Sequence, residues 1–255
     1  MTSIIETKNL GISFGNHKAV DQVNFAIDEH QFTSIIGPNG AGKTTLFNLL
    51  SGQLKATNGD IFFCGKNITK CSTVERTRLG MGRSFQLTNV FPNLTTLENV
   101  RLAVQAQKKI YFQMLKSVFS YKDHSEIAKT ILKTTLLVNK DDVLAKNLSH
   151  GDKRKLELAM LLALDTKLLL LDEPTAGMSV EDVPAIYEVI ERIKEEKTKT
   201  ILLIEHKMDM IMNLSDRIMV LFNGKLLADG APKEIIANET VQSAYLGGLY
   251  DEYTA

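Results

Sequence analysis

The sequence predicts an α/β fold with a mostly parallel core sheet, an N-terminal antiparallel β layer and an inserted helical subdomain. Short apolar runs recur at Phe32 to Ile36, which ends at a glycine, and at Leu168 to Leu171 and Ile201 to Ile204, which are followed by polar residues. Such runs are typical of buried parallel strands. Amphipathic helical stretches separate them, which is the alternation of an α/β core. The region between about residues 90 and 150 has no comparable strand run and is rich in Leu, Lys, Gln and Ala.

The first part of the chain and its last part carry antiparallel signals. Residues 4–28 mix short β-type runs with a turn signal at Gly15-Asn16, and Ile61 to Phe63 before Gly65 continues the pattern. These signals predict a small antiparallel layer. Near the end, two apolar runs flank Asn223-Gly224. Because Asn-Gly fits a type I′ turn, we expect a hairpin there.

Helical periodicity is clearest after the second buried run. Apolar residues with spacings of three and four place one stripe against a sheet. They are Val183, Ile186, Tyr187, Ile190 and Ile193. We expect one domain over residues 1–255, in which the core and the β layer take residues 1–89 and 151–255. The helical subdomain is expected at about residues 90–150.

Composition narrows the classes of function. With 255 residues, of which 44% are hydrophobic, the chain can bury a full core. Thirty basic and thirty acidic residues cancel, so no global field attracts nucleic acid or an anionic membrane. Cys64 and Cys71 match no zinc or disulfide pattern. We see no leader, and no apolar run approaches the ~20 residues of a membrane span, so we expect a protein that lies outside the lipid.

A glycine-rich segment after the first buried run matches the G-x-x-x-x-G-K-[ST] pattern, and a helical stretch follows it. Small residues let backbone N–H groups wrap a phosphate chain, and the helix N-terminus adds partial positive charge. Lys43 is expected to reach the β- and γ-phosphates and Thr44 to hold Mg²⁺. The residues expected to bind ATP here are Gly37, Pro38, Asn39, Gly40, Ala41, Gly42, Lys43, Thr44 and Thr45.

Two adjacent carboxylates, Asp172 and Glu173, end the second buried run. A carboxylate at the end of a buried strand can orient Mg²⁺ through its water shell, which is the role expected of Asp172. Glu173 beside it is free to polarise a water molecule, and this favours hydrolysis of the terminal phosphate over transfer to a substrate hydroxyl. We therefore assign the catalytic role to Glu173. A structural Asp-Glu pair at a surface turn is the alternative.

One further pattern points to a different nucleotide. Asn139-Lys140-Asp141-Asp142 matches the N-K-x-D pattern with which GTPases bind guanine. A GTPase has its metal aspartate, in an Asp-x-x-Gly turn, between the phosphate loop and that motif. Here Asp172 follows the motif and no such turn precedes it. We interpret residues 139–142 as a polar helix boundary.

A third segment precedes Asp172 by about twenty residues. Leu148-Ser149-His150-Gly151-Asp152 resembles the Leu-Ser-Gly-Gly-Gln signature of the ABC (ATP-binding cassette) family. Ser149 followed three residues later by Asp152 also predicts a capping-box-like helix start, whose N-terminus with Ser149 and Gly151 forms a second anion site. In the ABC family, each ATP lies between the phosphate loop of one subunit and the signature of the other. The resemblance therefore implies a head-to-tail dimer, and an ordinary capped helix is the alternative.

Further site residues follow from the resemblance, one position at a time. Phe14 lies where an aromatic ring stacks on adenine in the family, and plain strand packing is the alternative. Gln86, in Gly82-Arg-Ser-Phe-Gln86, resembles the Q-loop glutamine that contacts Mg²⁺ and the attacking water. His206, after the third buried run, matches the switch histidine that contacts the γ-phosphate. The metal ligands implied are Thr44, Gln86 and Asp172.

Three residues depart from the family pattern. His150 replaces the first signature glycine, and Asp152 replaces the glutamine and adds negative charge near the γ-phosphate site. Ser179, in Ala176-Gly-Met-Ser179, stands in the D-loop, where many cassettes have an aspartate. Because Lys43 and the carboxylates are present, we expect active hydrolysis. A non-hydrolysing ATP-dependent clamp is the alternative that these departures favour.

The resemblance covers about residues 4–248, with one cassette and no membrane spans, which is the layout of a separate ATPase subunit. The stretches after Thr44, from Gly80 to Gln86, at Leu148 and at Ala244-Tyr-Leu-Gly-Gly look like the branched-chain amino acid and urea uptake branch of bacterial importers. The ATPase of a lipopolysaccharide-type exporter is similar in several of these sequence stretches. A soluble cassette of DNA repair or translation is a further alternative, which predicts a coiled-coil insert, tandem cassettes or a basic arm.

The resemblance also implies partners and a location. The partners are a second ABC ATPase subunit, of the same or a homologous chain, integral membrane permease subunits and, indirectly, a solute-binding protein, with no nucleic acid among them. The chain is then peripheral, at the cytoplasmic face of the cell membrane, and held there by the permease subunits. ATP is the substrate and Mg²⁺ the cofactor.

Overall fold

The computed structural model describes residues 3–84, 90–108 and 119–246. Its strands, in chain order, are β1 (Ser3–Phe14), β2 (His17–Asp28), β3 (Phe32–Ile36), β4 (Asn58–Phe63), β5 (Lys66–Asn67), β6 (Met81–Arg83), β7 (Leu168–Asp172), β8 (Thr200–Ile204), β9 (Arg217–Phe222) and β10 (Lys225–Gly230). Its helices are α1 (Lys43–Ser51), α2 (Thr73–Leu79), α3 (Thr96–Gln107), α4 (Phe119–Thr134), α5 (His150–Ala163), α6 (Val183–Glu195), α7 (Met208–Leu214), α8 (Pro232–Ile236) and α9 (Glu239–Val241). A 3₁₀ turn lies at Ala145–Asn147 and a π-helical turn at Gln242–Leu246.

The antiparallel layer is a sheet in the order β2-β1-β4-β5. β1 pairs with β2 and with β4, and β4 pairs with β5, all in the antiparallel sense. From Val23 to Ile27, buried and exposed residues alternate along β2, so one face packs on the core and the other faces solvent. The predicted antiparallel layer is confirmed.

The core sheet has the order β10-β9-β3-β8-β7-β6. All neighbours from β9 to β6 are parallel, and β10 pairs with β9 in the antiparallel sense. Every residue of β3, β7 and β8 is buried, which explains why apolar residues dominate each strand, although β3 also buries Thr33 and Ser34. The three predicted strands are confirmed. The sequence analysis missed β6, because three residues are too few to form a recognisable run.

Alternate residues of the central strands face two hydrophobic cores. Leu168 and Leu170 of β7 pack in the core that contains the apolar residues of α1 and the antiparallel layer. Leu169 and Leu171 pack in the core that contains the predicted apolar stripe of α6. Because β3, β7 and β8 are parallel, the loops that follow them meet at one edge of the sheet.

The predicted hairpin near the end is confirmed as β9 and β10. Its turn residues Asn223 and Gly224 have φ values of 47° and 75°. Both values are positive, as a type I′ turn requires. Asn-Gly tolerates this conformation better than other residue pairs, so the dipeptide fixes the register of the hairpin.

Helices α3, α4 and α5 share a core of their own, in which Val100, Leu132 and Leu156 are buried. Leu158 and Leu161 of α5 point instead into the core beneath α6, so α5 packs on both the helical part and the sheet. The helical character predicted for residues 90–150 is confirmed where the structure describes them. The boundaries of the subdomain stay a prediction.

Within the described ranges, no helix has both the length and the apolar character that a membrane span requires. The longest of these helices, α4, has 16 residues and includes charged residues such as Lys129 and Lys133.

Candidate nucleotide-binding site

The glycine-rich loop connects β3 to α1 and leaves no space for side chains at two of its glycines. Gly42 is the N-cap of α1 with a φ of 99°, and a Cβ there would lie 2.3 Å from the carbonyl oxygen of Ala19. At Gly37 a Cβ would lie 2.1 Å from the carbonyl oxygen of Leu221. These approaches involve backbone atoms, which cannot move aside. Gly37 and Gly42 are therefore required by packing as well as by the approach of a phosphate.

Lys43, the first residue of α1, turns its ammonium group into this loop. Its Nζ donates to the carbonyl oxygens of Gly37 at 2.7 Å and Pro38 at 3.0 Å. Burial lowers the pKa of Lys43, and the nearby carboxylates of Glu173 and Asp172 partly oppose this shift. The ammonium thus lies where it can contact phosphate oxygens bound at the N-terminus of α1.

An open cleft of about 390 Å³ runs along the loop and is lined by Phe14, by residues 39–45 and by Glu173. The Phe14 ring is 51% exposed at the end of β1, which argues against the alternative that it only packs within the sheet. An exposed aromatic ring beside a phosphate loop matches the two ends of a nucleotide, its base and its polyphosphate.

Asp172 ends β7 with its side chain completely buried. Its Oδ2 accepts a hydrogen bond from Arg83 Nη2 at 2.8 Å. Its Oδ1 is buried and accepts no hydrogen bond from the residues that the structure describes. Burial raises the pKa of Asp172, and the charge and hydrogen bond of Arg83 oppose this. One carboxylate oxygen is therefore paired and the other is free for a ligand.

This free oxygen fits Mg²⁺. Magnesium prefers hard oxygen ligands and keeps several of its waters, which can donate to a carboxylate. The hydroxyl-bearing Thr44 lies in the same region, on the first turn of α1 and in the lining of the cleft. Thr44 and Asp172 are thus suitable to hold the ion. Gln86, the third ligand implied by the resemblance, lies outside the described residues.

Glu173 and His206 meet at the edge of the cleft, where His206 Nε2 lies 3.0 Å from Glu173 Oε1. Glu173 has a φ of 46°, an uncommon value for a residue with a side chain, and its backbone N–H donates to the carbonyl of Ile204 at 2.9 Å. Backbone strain of this kind clusters at active sites. Both side chains are partly exposed, 28% for Glu173 and 43% for His206, so water and substrate can reach them.

A buried glutamate holds His206 in place. Glu205 is 3% exposed; one of its oxygens accepts a hydrogen bond from the Thr175 hydroxyl, and the other accepts the backbone N–H of His206 at 2.8 Å. Thr175 follows Glu173 by two residues. Glu205 therefore fastens the loop after β8 to the loop after β7, and the sequence analysis missed this role. A carboxylate directly after a buried strand was the only signal.

At the start of α5, one of the two hydrogen bonds of the predicted capping box forms. The Ser149 side chain accepts the backbone N–H of Asp152 at 3.1 Å. A capping box also needs the Asp152 carboxylate to return to the backbone of Ser149. That carboxylate instead pairs with Lys140 through Oδ2 and with Lys155 at 3.4 Å through Oδ1. The capping-box prediction is therefore half right, because two ammonium groups compete for the acid.

The prediction for residues 139–142, which include Lys140, is wrong. Residues 139–142 are not a helix boundary: α4 ends at Thr134, and these residues form turns in the loop that precedes the 3₁₀ turn. Lys140 reaches from this loop to the first turn of α5. Burial raises the pKa of Asp152, but the hydrogen bond and charge of Lys140, with Lys155, outweigh it and lower the pKa overall. The negative charge that Asp152 adds is thus compensated locally.

The loop after Glu173 brings another carboxylate to α5. Ser179 donates to Asp182 at 3.1 Å, and a Cβ at Gly151 would lie 3.0 Å from the carboxyl carbon of Asp182. Ser179 thus lacks a carboxylate of its own, but its hydroxyl binds the carboxylate of Asp182, three residues later. A side chain at position 151 would displace Asp182, so the signature glycine has a packing role.

Comparison with known proteins identifies the family. The family model described as "ABC transporter" matches residues 20–176. The chain belongs to the ABC transporter family. A second model, described as "Branched-chain amino acid ATP-binding cassette transporter", matches residues 225–251 of this cassette.

Relatives match this cassette over nearly their whole length. The "High-affinity branched-chain amino acid transport ATP-binding protein LivG" of Salmonella typhimurium is 36% identical over 249 residues, which is 96% of this chain and 98% of the relative. The corresponding protein BraF of Pseudomonas aeruginosa is 36% identical over 251 residues, 96% of this chain and 98% of the relative. A "Probable branched-chain amino acid transport ATP-binding protein LivG" of Archaeoglobus fulgidus is 35% identical over 255 residues, 98% and 97% of the two chains.

Solved structures support the same family assignment. An ATP-binding cassette of an ABC transporter in its ADP conformation has a TM-score of 0.80 at 30% identity and covers 97% of this chain and 100% of that one. A dimeric cassette in a post-hydrolysis state, bound to ADP and Pi, has a TM-score of 0.73 at 25% identity and covers 89% of this chain and 98% of that one. The predictions of a cassette fold and of an ATP-binding, ATP-hydrolysing transporter subunit are confirmed.

Proposed function

We propose that this ABC cassette works as a dimer and hydrolyses ATP to power the uptake of branched-chain amino acids. The contact between Glu173 and His206, at the edge of the cleft that contains the phosphate loop, is the observation that carries the proposal. The names of the relatives, which give branched-chain amino acid transport, support the choice of cargo over urea or an exported lipid.

The chain binds ATP along the cleft. The exposed ring of Phe14 stacks on the adenine, and the backbone N–H groups of residues 39–45 surround the phosphates. Lys43 exchanges the carbonyl oxygens of its own loop for the β- and γ-phosphate oxygens. Lys43 then has oppositely charged phosphate oxygens as partners instead of neutral carbonyl oxygens. This offsets the free-energy cost of burying its ammonium group.

Three residues would hold the metal ion: Thr44 with its hydroxyl, Asp172 with its carboxylate, and Gln86. Mg²⁺, when bound, neutralises charge on the β- and γ-phosphate oxygens. The completely buried position of Asp172 strengthens the electrostatic interactions of its carboxylate.

Glu173 and His206 perform the chemistry. Glu173 accepts the proton of the attacking water as its oxygen approaches the γ-phosphorus. His206 fixes the direction of the Glu173 carboxylate through Nε2. When the nucleotide binds, the same Nε2–H donates to a γ-phosphate oxygen instead, which leaves Glu173 free to accept a proton. Glu205 and Thr175 hold the two loops together, so both groups keep one geometry during the reaction.

Ser149, Gly151 and Asp152 contact the ATP that is held by the partner cassette. The N-terminus of α5 favours a phosphate, and Lys140 with Lys155 compensates the charge of Asp152. A dimeric cassette among the structures similar to this chain supports the arrangement. Because α5 packs on both the helical core and the sheet, closure of the dimer shifts the helical part relative to the phosphate loop.

The partners follow from this function. They are a second ABC ATPase subunit, of the same or a homologous chain, integral membrane permease subunits and, indirectly, a solute-binding protein, without nucleic acid. The cassette then lies at the cytoplasmic face of the membrane, held by the permease subunits.

Reconstituted transport tests the proposal. Membrane subunits that co-purify with the tagged chain are placed in liposomes with ATP and Mg²⁺ on the side of the cassette, and uptake of labelled leucine is followed. We expect leucine uptake that requires ATP and is lost in Glu173→Gln. Uptake of urea without leucine, or ATP turnover with outward movement of lipid, would contradict the proposed cargo or direction.

A further inference from the structure

We propose that Arg83 is a positioning residue for the magnesium site, which sets the distance between the helix that carries Thr44 and the carboxylate of Asp172. The inference rests on the proposed function, because it takes Thr44 and Asp172 as metal ligands. It goes beyond that function in assigning a role to an arginine that belongs to neither the phosphate loop nor the carboxylate pair.

On one side, Arg83 at the end of β6 and the residue that follows it hold Asp172 at two points. Arg83 Nη2 donates to Asp172 Oδ2 at 2.8 Å, and the hydroxyl of the next residue, Ser84, accepts the backbone N–H of Asp172 at 3.2 Å. The Ser84 backbone N–H donates in turn to the carbonyl of Leu170 at 2.9 Å. The carboxylate therefore has a fixed orientation, with Oδ2 paired and Oδ1 without a hydrogen-bond partner among the described residues.

On the other side, the same guanidinium group holds the end of α1. Arg83 Nη1 lies 2.6 Å from Asn48 Oδ1, 2.9 Å from Ser51 Oγ and 3.0 Å from Gln53 Oε1. Asn48 and Ser51 belong to α1, and the ring of Phe47 on the same helix lies 5.8 Å from the guanidinium carbon. Thr44 is the second residue of this helix.

One rigid side chain thus connects the two elements that supply the metal ligands. The Arg83 side chain is only 10% exposed and that of Asp172 is completely buried, so water screens their attraction little. A guanidinium group is planar, with donors pointing in fixed directions. Movement of α1 away from β7 would stretch hydrogen bonds on both sides of Arg83. The arginine therefore fixes the position of the helix that carries Thr44 relative to the carboxylate of Asp172.

A competing role would have the opposite consequence. If the arginine occupied the place of the metal ion, its removal would make Mg²⁺ bind more tightly. The free Oδ1 argues against this, because Arg83 uses only the other oxygen. Residues that orient metal ligands in this way typically contribute about 10-fold to 100-fold in metal affinity.

The test compares nucleotide affinity with and without metal. Binding of a fluorescent, non-hydrolysable ATP analogue to the full chain is measured in Mg²⁺ and in EDTA, and the ratio of the two dissociation constants gives the gain from Mg²⁺. The variants are Arg83→Met, which removes both sets of contacts, and Arg83→Lys, which keeps a charge but cannot reach both sides. Arg78→Met, at an exposed arginine of α2, is the matched control.

We expect Arg83→Met to reduce the gain from Mg²⁺ about 10-fold, with the affinity in EDTA unchanged, and Arg83→Lys to reduce it less. Arg78→Met should keep the parental gain. If Arg83→Met does not unfold cooperatively on heating, two other variants replace it in the test. They are Arg83→Lys and Ser51→Ala, which removes one acceptor on α1, and they are compared with the parent by the same ratio of dissociation constants.

Two results overturn the inference, and they differ from a failure of the proposed function. A parental gain in the Arg83 variants means that the arginine does not position the metal ligands, and a larger gain means that it competes with the ion. If the parent chain itself gains nothing from Mg²⁺, the proposed metal site is wrong, and the role of Arg83 falls with it.

Discussion

His206 Nε2 lies 3.0 Å from Glu173 Oε1, although the two residues are 33 positions apart in the chain. They meet because β7 and β8 are adjacent and parallel, so the residues after their carboxyl ends lie side by side at one edge of the sheet. The fold itself thus assembles the pair, and the loops need only a short reach to bring both side chains to the phosphate cleft.

Glu205→Gln tests whether this geometry depends on the buried glutamate. The substitution removes the charge and one of the two acceptors that join Thr175 to the backbone of His206. We expect kcat for ATP hydrolysis to fall about 10-fold, because small displacements of a catalytic group are costly, while the KM for ATP stays unchanged. Thr175→Ser, which keeps the hydroxyl, should retain most of the activity. A parental kcat in Glu205→Gln would show that His206 is positioned by other contacts.

The ion pair between Lys140 and Asp152 is testable by a double-mutant cycle. Urea unfolding of Lys140→Met, Asp152→Asn and the double variant gives the coupling free energy. Because the Lys140 side chain is 39% exposed, solvent weakens the interaction, and we expect a coupling of about 0.5 kcal/mol. If the effects of the two single substitutions add up to the effect of the double variant, the pair does not stabilise the start of α5.

Acid should remove the contribution of Asp152. Burial raises its pKa, but Lys140 and Lys155 lower it overall, so the folded pKa lies below that of the unfolded chain. Its stabilisation is then fully present above the ordinary range of a carboxyl group and is lost as the pH falls through the lowered pKa. The difference in unfolding free energy between the parent and Asp152→Asn should shrink in acid. A difference that grows in acid would contradict the direction of the shift.

Two glycines of the phosphate loop form a matched pair. Gly42 and Gly40 both have positive φ, but a Cβ at Gly42 would meet the Ala19 carbonyl at 2.3 Å, whereas one at Gly40 would meet nothing within 4 Å. We expect Gly40→Ala to cost about 1 kcal/mol from backbone strain alone and Gly42→Ala about 3 kcal/mol, since the clash adds to the strain. Urea unfolding of the chain without nucleotide measures both. Equal losses would show that the loop moves aside at no cost.

The sequence predicted the parts of the site that lie in continuous motifs. Residues 37–45 follow a buried strand and open a helix, and Asp172 and Glu173 come directly at the end of another. In each case a local pattern dictates both the fold and the position of the chemistry. The buried strands were equally predictable, since full burial selects mostly apolar residues.

What the sequence could not predict depends on contacts between distant segments. Arg83 is 89 positions from Asp172, and Lys140 pairs with Asp152 from a loop that resembled a GTPase motif. Such pairs have no fixed spacing, so no pattern reveals them. The short strand β6 was missed for a related reason: its pairing with β7, and not its own sequence, makes it a strand.

Hydrolysis by the Glu173→Gln variant tests the central claim most directly. The substitution keeps the size of the side chain but removes the group that accepts a proton from water. In a steady-state assay with Mg²⁺ and ATP, we expect the parent to turn over and kcat of the variant to fall about 100-fold or more, while binding of the ATP analogue is retained. A variant that hydrolyses ATP at the parental rate would contradict the assignment of Glu173 as the catalytic base.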